Sequence, residues 1–502
     1  MLTALVFIPL LGSIIIMLMP RENHEGIKRA ALALSLIPLA IAVLLWTQFD
    51  FANPDMQFVR KVDWIRSFGI SYHVGVDGIS LPMLLVTGIV STLAILASFN
   101  INHRVKDFFA LMLLLQTSMY GVFVALDYFL FFIFFEFSLV PMYFLIGIWG
   151  GPRREYAAIK FFIYTFVGSV LMLIGILALY FTSGLGTFDA LILAEHANLP
   201  PSLQWWIFLA FYAGFAVKVP VFPLHTWLPD AHVEAPTGGS MILAGVLLKM
   251  GTYGFYRFMY PTLPDAAAAF APILAVLAVI GIVYGAFTAM GQKDLKKLVA
   301  YSSVSHMGFV MLALAAGAYT FTRGIDPSMG AMAMNGGLYV MISHGLISPL
   351  MFYLVGTVFY ERSHTRMIDE MGGYYTKMPV AGTILAFTAF ANLGLPGLSG
   401  FVGEFFTLVG TLPIFTSLVV VAGLGLIATA GYHLWMMQRV LMGQPRVQEP
   451  YPDMRGTEWA VSVPLMALIV LLGVYPPVAL KVINPPVIAL MNQLAAHLGG
   501  GV

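Results

Sequence analysis

Four ionisable residues lie inside apolar stretches of the sequence that are long enough to cross a lipid bilayer. They are Glu136, Lys218, Lys249 and Glu404, and each apolar run approaches the roughly 20 residues that a spanning helix needs. A charge at the centre of such a helix costs about 2.5–3.5 kcal/mol on insertion scales, so four charges facing lipid would cost roughly 10 kcal/mol. We therefore expect them to face one another across a hydrated protein interior. Two acids and two bases placed in this way are suited to passing protons.

Two histidines in further apolar runs, His306 and His344, extend this set. A single histidine in a helical core is often a packing residue, and two histidines on facing helices could instead hold a haem, although only residue type supports a haem here. Because an unperturbed imidazole titrates near neutral pH, relay groups are the better interpretation. We expect the two histidines to link Lys249 in the first half of the chain to Glu404 in the second half.

Glu136 and Lys218 suggest an electrostatic pair. Phenylalanines surround Glu136 in the sequence, and Lys218 precedes a proline-interrupted segment, which makes it the natural cationic partner; a purely structural ion pair is the alternative. Lys249 has no acid in its own apolar run. Because burial penalises the charged form of a lysine, Lys249 must share a water molecule or lose its proton. A lysine poised between the two forms can relay protons.

The composition assigns the chain to the membrane class. Of its 502 residues 60% are hydrophobic and only 10% are charged, and the mean hydropathy is +0.88. The net charge of +1 provides neither a basic patch for nucleic acid nor an acidic tail. Since the chain has no cysteine, it has no disulfide, thiolate metal site or thiol chemistry. The apolar first 20 residues lack a basic start and a small-residue cleavage site, so we interpret them as a retained helix and not as a cleaved signal.

Apolar runs bounded by charges or by Pro/Gly clusters predict an all-α membrane protein of about 14 transmembrane helices. Backbone groups inside a bilayer must be satisfied within their own segment, and the runs lack the alternation of a membrane barrel. The predicted spans are 1–20, 30–47, 79–100, 108–126, 128–149, 160–182, 205–225, 237–259, 267–291, 297–319, 331–359, 379–411, 415–441 and 458–480.

Lysine and arginine are distributed unequally between alternate loops of this helix arrangement. Most of the 25 basic residues, Arg446 among them, fall in one set of loops. By the positive-inside rule that set is cytoplasmic, which places both termini outside. The sparse set is Arg60, Lys61, Arg66, Arg257, Arg323 and Lys481.

Prolines interrupt two of the runs, the seventh after Lys218 and the twelfth at 395–400. The fourth to eighth spans and the ninth to thirteenth spans form two groups of five, and the interrupted run is the fourth in each group. Because five is odd, the second group would be inserted upside down relative to the first. Paired broken helices in inverted repeats are typical of transporters, although simple proline kinks are an alternative. We predict an N-terminal three-helix segment at 1–107, repeats at 108–259 and 267–441, and a last helix with its tail at 442–502.

The segment from His225 to Pro236 gathers His225, Asp230, His232 and Glu234 on the predicted cytoplasmic side. Their spacing matches no standard zinc or calcium pattern, so a metal site is poorly supported. This segment is free of lysine and arginine. A proton-collecting mouth, or a loop packed against a neighbour, suits it better.

Four phrases of the sequence together resemble the antiporter-like membrane subunits of respiratory complex I and of multisubunit cation/proton antiporters. The phrases are KVPVFPLHTWLPDAHVEAPT from Lys218, LLKMGTYG from Leu247, KKLVAYSSVSHMG from Lys296 and LPGLSGFVGEF from Leu395. The resemblance runs from about residue 70 to 440. It implies a 14-helix bundle with an inverted repeat, in agreement with the spans above.

The same resemblance implies roles for the six residues. Glu136 and Lys218 would form a switching pair, Lys249 would be the central relay, and His306 and His344 would occupy the connecting positions. Glu404 would face the outer half-channel. Sister subunits of the family generally carry lysine at the position of Glu404.

We accordingly expect a subunit that moves protons from the cytoplasm to the periplasm within a bacterial NADH:quinone oxidoreductase of the inner membrane. It would contain no cofactor; flavin and iron–sulfur clusters would lie in partner subunits, and quinone would bind elsewhere. Its partners would be other complex I membrane subunits, including sister antiporter-like chains, and phospholipid, but not nucleic acid. The alternatives are a cation/proton antiporter subunit, a redox chain that binds quinone or haem, and a structural spacer.

Overall fold

The computed structural model describes residues 1–445 and 451–499, so Arg446 lies outside the described residues. The first half contains α1 Leu2–Leu18, α2 His24–Gln48, β1 Gln57–Ile65, β2 Ile70–Val76, α3 Ser80–Ala97, α4 Val105–Val124, α5 Tyr128–Phe137, α6 Leu139–Trp149, α7 Arg154–Ser183, α8 Ala190–His196, α9 Pro201–Lys218, α10 Trp227–Glu234, α11 Thr237–Ile242, α12 Leu248–Gly254 and α13 Tyr260–Thr262. The second half contains α14 Pro264–Met290, α15 Leu295–Tyr319, α16 Pro327–Tyr353, α17 Tyr360–Ser363, α18 Tyr374–Lys377, α19 Pro379–Asn392, α20 Ser399–Thr411, α21 Thr416–Val440, α22 Gly456–Val474 and α23 Pro477–Leu498. Wide π-helical turns at Leu243–Leu247, Phe255–Met259 and Leu354–Phe359 join α11 to α12, α12 to α13, and α16 to α17.

The apolar runs of the sequence form helices, which confirms the all-α membrane class. Each of the 14 predicted spans coincides with a helix or with a pair of consecutive helices. Within the described residues, 11 helices are long and apolar enough to cross a membrane. The total of 14 crossings, the inverted repeats and the division into four segments stay predictions.

Both proline-interrupted runs are broken in the structure. Helix α9 ends at Lys218, and the following prolines cannot donate the backbone hydrogen bonds that would continue it. Between α19 and α20 the chain passes through Gly394 and Gly397, whose φ angles of 82° and 93° disfavour any side chain. Each break brings a titratable residue, Lys218 in the first and Glu404 in the second, next to opened backbone.

A β-hairpin precedes α3, in a connection that lies outside the predicted spans. Strands β1 and β2 pair antiparallel, with Arg60 opposite Val74 and Val62 opposite Tyr72. The segment QFVRKVDWI alternates only in part and most of β1 is exposed, which hides it among loop residues. The hairpin is possible because it lies outside the apolar runs, so its exposed edge can be solvated.

The C-terminal tail forms a separate helix, α23, where a single last span at 458–480 was predicted. Gln493 on α23 donates to the carbonyl oxygens of Ala194 and Pro261, both at 3.1 Å. Near its start, the carbonyl of Val482 lies so close to Gly78 that a Cβ there would be 1.8 Å away. These contacts are with connections on the lysine-poor side, which we call the outer side. Helix α23 therefore lies across the outer ends of the bundle.

The two histidine-bearing helices occupy the centre of the bundle. In the most apolar 18 residues of α15 and of the α16–α17 helix, 94% and 100% of the residues are buried, against 39% in α7. Helices at the periphery present apolar side chains outward, as a membrane environment requires. Any polar side chain on α15 or α16 must therefore find its partner inside the protein.

Candidate functional site: a buried chain of titratable groups

Lys249 and His344 are in direct contact at the centre of the protein. Lys249 Nζ lies 2.7 Å from His344 Nδ1, and both residues are almost completely buried. The lysine follows the first π-helical turn, and its ammonium group also reaches back to the carbonyl oxygen of Ala244. Widened turns of this kind are frequent at functional sites. The contact joins α12 of the first predicted repeat to α16 of the second.

Two serines hold the other side of the His344 ring. Nε2 of His344 lies 3.1 Å from Ser303 Oγ on α15 and 2.9 Å from Ser348 Oγ one turn further along α16. A hydroxyl can donate or accept, so these partners accommodate either tautomer of the ring. Sequence reasoning missed both serines; the spacing of four residues between His344 and Ser348 is the signal that could have found one of them.

His306 pairs with Glu404. His306 Nδ1 lies 2.7 Å from Glu404 Oε1, and the two side chains are 4% and 6% exposed. The other ring nitrogen, Nε2, is buried and has no hydrogen-bond partner within the described structure. Glu404 lies in the second turn of α20, and its Oε2 faces the opened backbone at Gly394, where a Cβ would be 3.2 Å away.

The two pairs lie next to each other. The ring centroids of His306 and His344 are 5.5 Å apart. Lys249, His344, His306 and Glu404 therefore form a continuous line from the first half of the chain to the second, with one short gap between the rings.

The expected Glu136–Lys218 ion pair is absent from the described structure. Lys218 Nζ is instead 3.0 Å from Ser138 Oγ and 4.9 Å from the ring centroid of Phe135. Both carboxylate oxygens of Glu136 are buried without a hydrogen-bond partner. The apolar run of α5 predicted burial correctly, but Ser138 at the α5–α6 junction competes for the ammonium group.

Lys218 nevertheless lies against the helix that carries the central lysine. Gly251 of α12 packs on it, and a Cβ at position 251 would be 3.1 Å from Lys218 Cβ. Only a glycine permits the two helices to approach so closely. The backbone at Lys218 therefore packs on α12 at a position two residues from Lys249 in the sequence.

The polar residues of the predicted cytoplasmic segment contact different parts of the protein. His232 on α10 is fully buried, stacks on Phe352 with ring centroids 4.4 Å apart, and has no hydrogen-bond partner for either ring nitrogen in the described structure. Asp230 pairs with Lys160 at 2.7 Å, and Glu234 accepts from the backbone of Arg153 at 3.0 Å. No group of acidic residues and histidines in the described ranges could hold a metal ion. Asp230 and Glu234 are thus engaged within the protein, and the proton-collecting mouth and the loop packed against a neighbour both stay predictions.

Lys296 is a buried base that sequence reasoning assigned to a cytoplasmic loop. Its side chain is directed inward, and Nζ donates to the carbonyl oxygen of Ala235 at 2.6 Å. Lys296 precedes the predicted span 297–319 by one residue, whereas α15 begins at Leu295, so the predicted boundary excluded it by a single position.

On the outer side, Asp189 joins the hairpin to the bundle. Its Oδ2 lies 2.6 Å from Lys61 Nζ and 2.9 Å from His73 Nδ1. Burial alone would raise the pKa of Asp189, but the contacts with His73 and Lys61 outweigh it and hold the pKa below its usual range.

Asp127 fixes the start of the helix that carries Glu136. It accepts hydrogen bonds from the backbone of Ser71, Phe129 and Leu130 at 2.9–3.1 Å. Burial raises the pKa of Asp127 in spite of these donors. The hairpin and α5 are therefore joined through one carboxylate.

Residues 125–429 match the family described as NADH:quinone oxidoreductase/Mrp antiporter, TM. The match covers more than half of the chain and includes all six predicted site residues. The chain belongs to this family. It is 42% identical to NADH-quinone oxidoreductase subunit M of Rhodobacter capsulatus, over 99% of this chain and 98% of the relative.

Solved structures agree with this membership. A chain in the structure of respiratory complex I from Thermus thermophilus with bound NADH superposes with a TM-score of 0.88 at 31% identity, covering 98% of this chain and 100% of that one. A chain of the Mrp complex from Dietzia sp. superposes with a TM-score of 0.83 at 20% identity, covering 99% of both chains, which shows a shared fold.

Proposed function

We propose that this family member is a proton-translocating, antiporter-like subunit of a respiratory NADH:quinone oxidoreductase. The observation that carries the proposal is the buried line formed by two 2.7 Å contacts, Lys249 with His344 and His306 with Glu404. Burying four titratable groups is costly unless they are hydrogen-bonded. Each of the four can accept and release a proton, so the line has the chemistry that lateral proton transfer needs.

The proton would reach Lys249 from the cytoplasmic side. His232 and Lys296 are buried between that side and the centre, and both can carry a proton. From Lys249 the proton would pass to His344, cross the short gap to His306, and reach Glu404. Release from Glu404 to the outer side would complete the transfer.

Glu136 and Lys218 would supply the trigger. At an effective dielectric near 20, two charges about 4 Å apart interact by roughly 4 kcal/mol, so forming or breaking their pair changes the charge balance beside Lys249 substantially. In the present conformation Lys218 contacts Ser138 and the pair is open. In this conformation the two charged groups make no direct contact, and a closed pair would be the alternative state.

The partners of the subunit would be the other membrane subunits of complex I, including sister antiporter-like chains, and phospholipid. Relatives bearing the names of NADH-quinone oxidoreductase subunits support this assignment. Iron–sulfur clusters would lie in partner subunits, because this chain has no cysteine to hold them. Flavin would also lie in a partner subunit. Quinone would also bind in another chain. The location would be a bacterial inner membrane with both termini periplasmic, as the lysine and arginine distribution indicates.

The test is proton pumping by the assembled complex in inverted membrane vesicles. We expect Lys249→Ala and Glu136→Ala to abolish NADH-driven proton uptake, because they remove the central relay and one half of the trigger. The exposed residues Lys293 and Glu155 provide matched controls, and their alanine variants should pump normally. Unchanged pumping in both Lys249→Ala and Glu136→Ala would refute the proposal.

The same vesicles separate the second candidate, a cation/proton antiporter subunit. That candidate has the support of the family description, which includes Mrp antiporters. It predicts that proton movement depends on sodium or potassium in the absence of NADH. Transport driven by NADH and indifferent to both cations would exclude it.

A further inference from the structure

A second polar cluster lies between Lys249 and the outer side, and the relay above does not use it. Arg257, in the π-helical turn after α12, forms an ion pair with Asp77 at the start of α3. The two side chains are 9% and 2% exposed. Sequence reasoning counted Arg257 among loop residues; the structure corrects this, because the helix continues to Thr262 and turns the guanidinium group inward.

The cluster lies on the helix of the central lysine, towards the outer side of the protein. Lys249, Tyr253 and Arg257 follow one another at intervals of four residues, so they lie along one side of the helix, with Lys249 and Arg257 about 12 Å apart along its axis. Beyond Arg257 is a cavity of about 430 Å³, lined by residues that include Asp77 and Gln493. A proton on Lys249 is therefore only two helical turns away from this cavity.

The hydrogen bonds of Tyr253 do not form a proton wire. Its hydroxyl donates to the carbonyl oxygen of Phe123 at 3.1 Å, accepts from Arg257 Nε at 3.2 Å, and lies 3.0 Å from Ser80 Oγ. A backbone carbonyl cannot pass a proton onward, and a guanidinium group has no acceptor atom. Two of the three contacts of Tyr253, those with Phe123 and Arg257, therefore cannot pass a proton onward.

The positive charge of Arg257 also opposes the passage of a proton. Arginine keeps its positive charge at any physiological pH, so an excess proton that approached Tyr253 would meet a fixed charge of the same sign. Asp77 keeps the guanidinium in this position, and its other oxygen caps α3 by accepting from the backbone of Ile79 and Ser80, both at 3.0 Å. The seal is therefore held by two secondary-structure elements.

We propose that Arg257, positioned by Asp77 and Tyr253, seals Lys249 from the outer cavity, so that a proton can leave the protein only through Glu404. The inference rests on the proposed function, since a seal matters only if Lys249 carries protons. Without it, a proton on Lys249 could return directly to the outer side or enter from it, and transport would be short-circuited.

The experiment measures passive proton conductance in liposomes that contain the assembled complex, without NADH, after an external pH jump. We expect Arg257→Gln to raise conductance severalfold, because it removes the positive charge that faces Tyr253 between Lys249 and the outer cavity. Arg257→Lys keeps the charge and should remain tight. Arg323→Gln, which removes an exposed arginine on the outer side, is the matched control and should also remain tight.

A double variant distinguishes a leak through Lys249 from general damage. Arg257→Gln combined with Lys249→Ala should return conductance to the wild-type value, because the leak passes through the lysine. A leak that persists in the double variant overturns the proposal, as does a tight Arg257→Gln complex present at wild-type amounts. Failure of the proposed function is a separate result, namely normal NADH-driven pumping by Lys249→Ala alone.

Loss of Arg257 leaves a buried carboxylate without its cationic partner, which can prevent assembly. In that event, Asp77→Asn with Arg257→Gln removes both charges and retains the capping oxygen at position 77. Because these two changes together remove no net charge, we expect a smaller leak than with Arg257→Gln alone, and Lys249→Ala should abolish it. A tight membrane with the doubly substituted protein would again overturn the seal.

Discussion

Replacement of His344 by alanine tests the connection between the two halves of the relay. The imidazole lies 2.7 Å from Lys249 Nζ on one side, and its ring centroid is 5.5 Å from that of His306 on the other. Without this ring, no titratable side chain of the described structure remains within hydrogen-bond distance of Lys249. A proton would then need water molecules in a cavity that the mutation itself creates.

The contact between His344 and Lys249 sets the size of the expected loss of pumping. A hydrogen bond to a charged group contributes about 1.5–3 kcal/mol, and its loss from the rate-limiting transfer slows the step roughly 10- to 150-fold. We therefore expect His344→Ala to pump at about one tenth of the wild-type rate or less. His344→Gln, which is polar but cannot titrate, should be equally impaired, because the ability to change protonation is what the relay needs.

The assay is NADH-driven acidification of inverted vesicles, normalised to the amount of assembled complex. Ser348→Ala is the matched control, since it removes a hydrogen-bond partner of His344 from the same helix and leaves the ring with Ser303. It should lose less than His344→Ala. If His344→Gln pumped at the wild-type rate, the inference that this imidazole carries the proton would be wrong.

Two further predictions concern neighbouring contacts. Ser138→Ala removes the 3.0 Å contact of Lys218 Nζ, and the loss of about 1 kcal/mol should shift the equilibrium roughly fivefold towards a closed Glu136–Lys218 pair. Proton pumping should therefore slow. An unchanged pumping rate would show that Ser138 does not keep the pair apart. Because the folded pKa of Asp189 is depressed, its carboxylate stabilises the docked hairpin above the ordinary carboxyl pKa of about 3.9, and this contribution is lost as the pH falls through the folded value. At pH 7, Asp189→Asn should speed hydrogen–deuterium exchange in residues 57–76 roughly fivefold, because the partly exposed ion pair with Lys61 contributes about 1 kcal/mol. Equal exchange rates in the wild-type and variant proteins would contradict this.

The sequence determined the membrane class, the positions of the helices and the identity of the buried titratable residues. Each of these depends on the local cost of placing a side chain in hydrocarbon, and that cost is additive along a run of residues. The break after Lys218 was predictable for a second local reason. Proline disrupts a helix wherever it occurs in the interior. The hairpin and α23 were not, since their partly polar patterns resemble loops or tails.

Tertiary structure decided which of these residues touch. Lys249 could have met an acid, yet it contacts His344; Lys218 could have met Glu136, yet it contacts Ser138. The inward turn of Arg257 depends on Asp77, which is far away in the sequence. A hydrogen bond requires its atoms to be about 3 Å apart with suitable directions, and only the packing of α3, α12, α15, α16 and α20 against one another sets those distances.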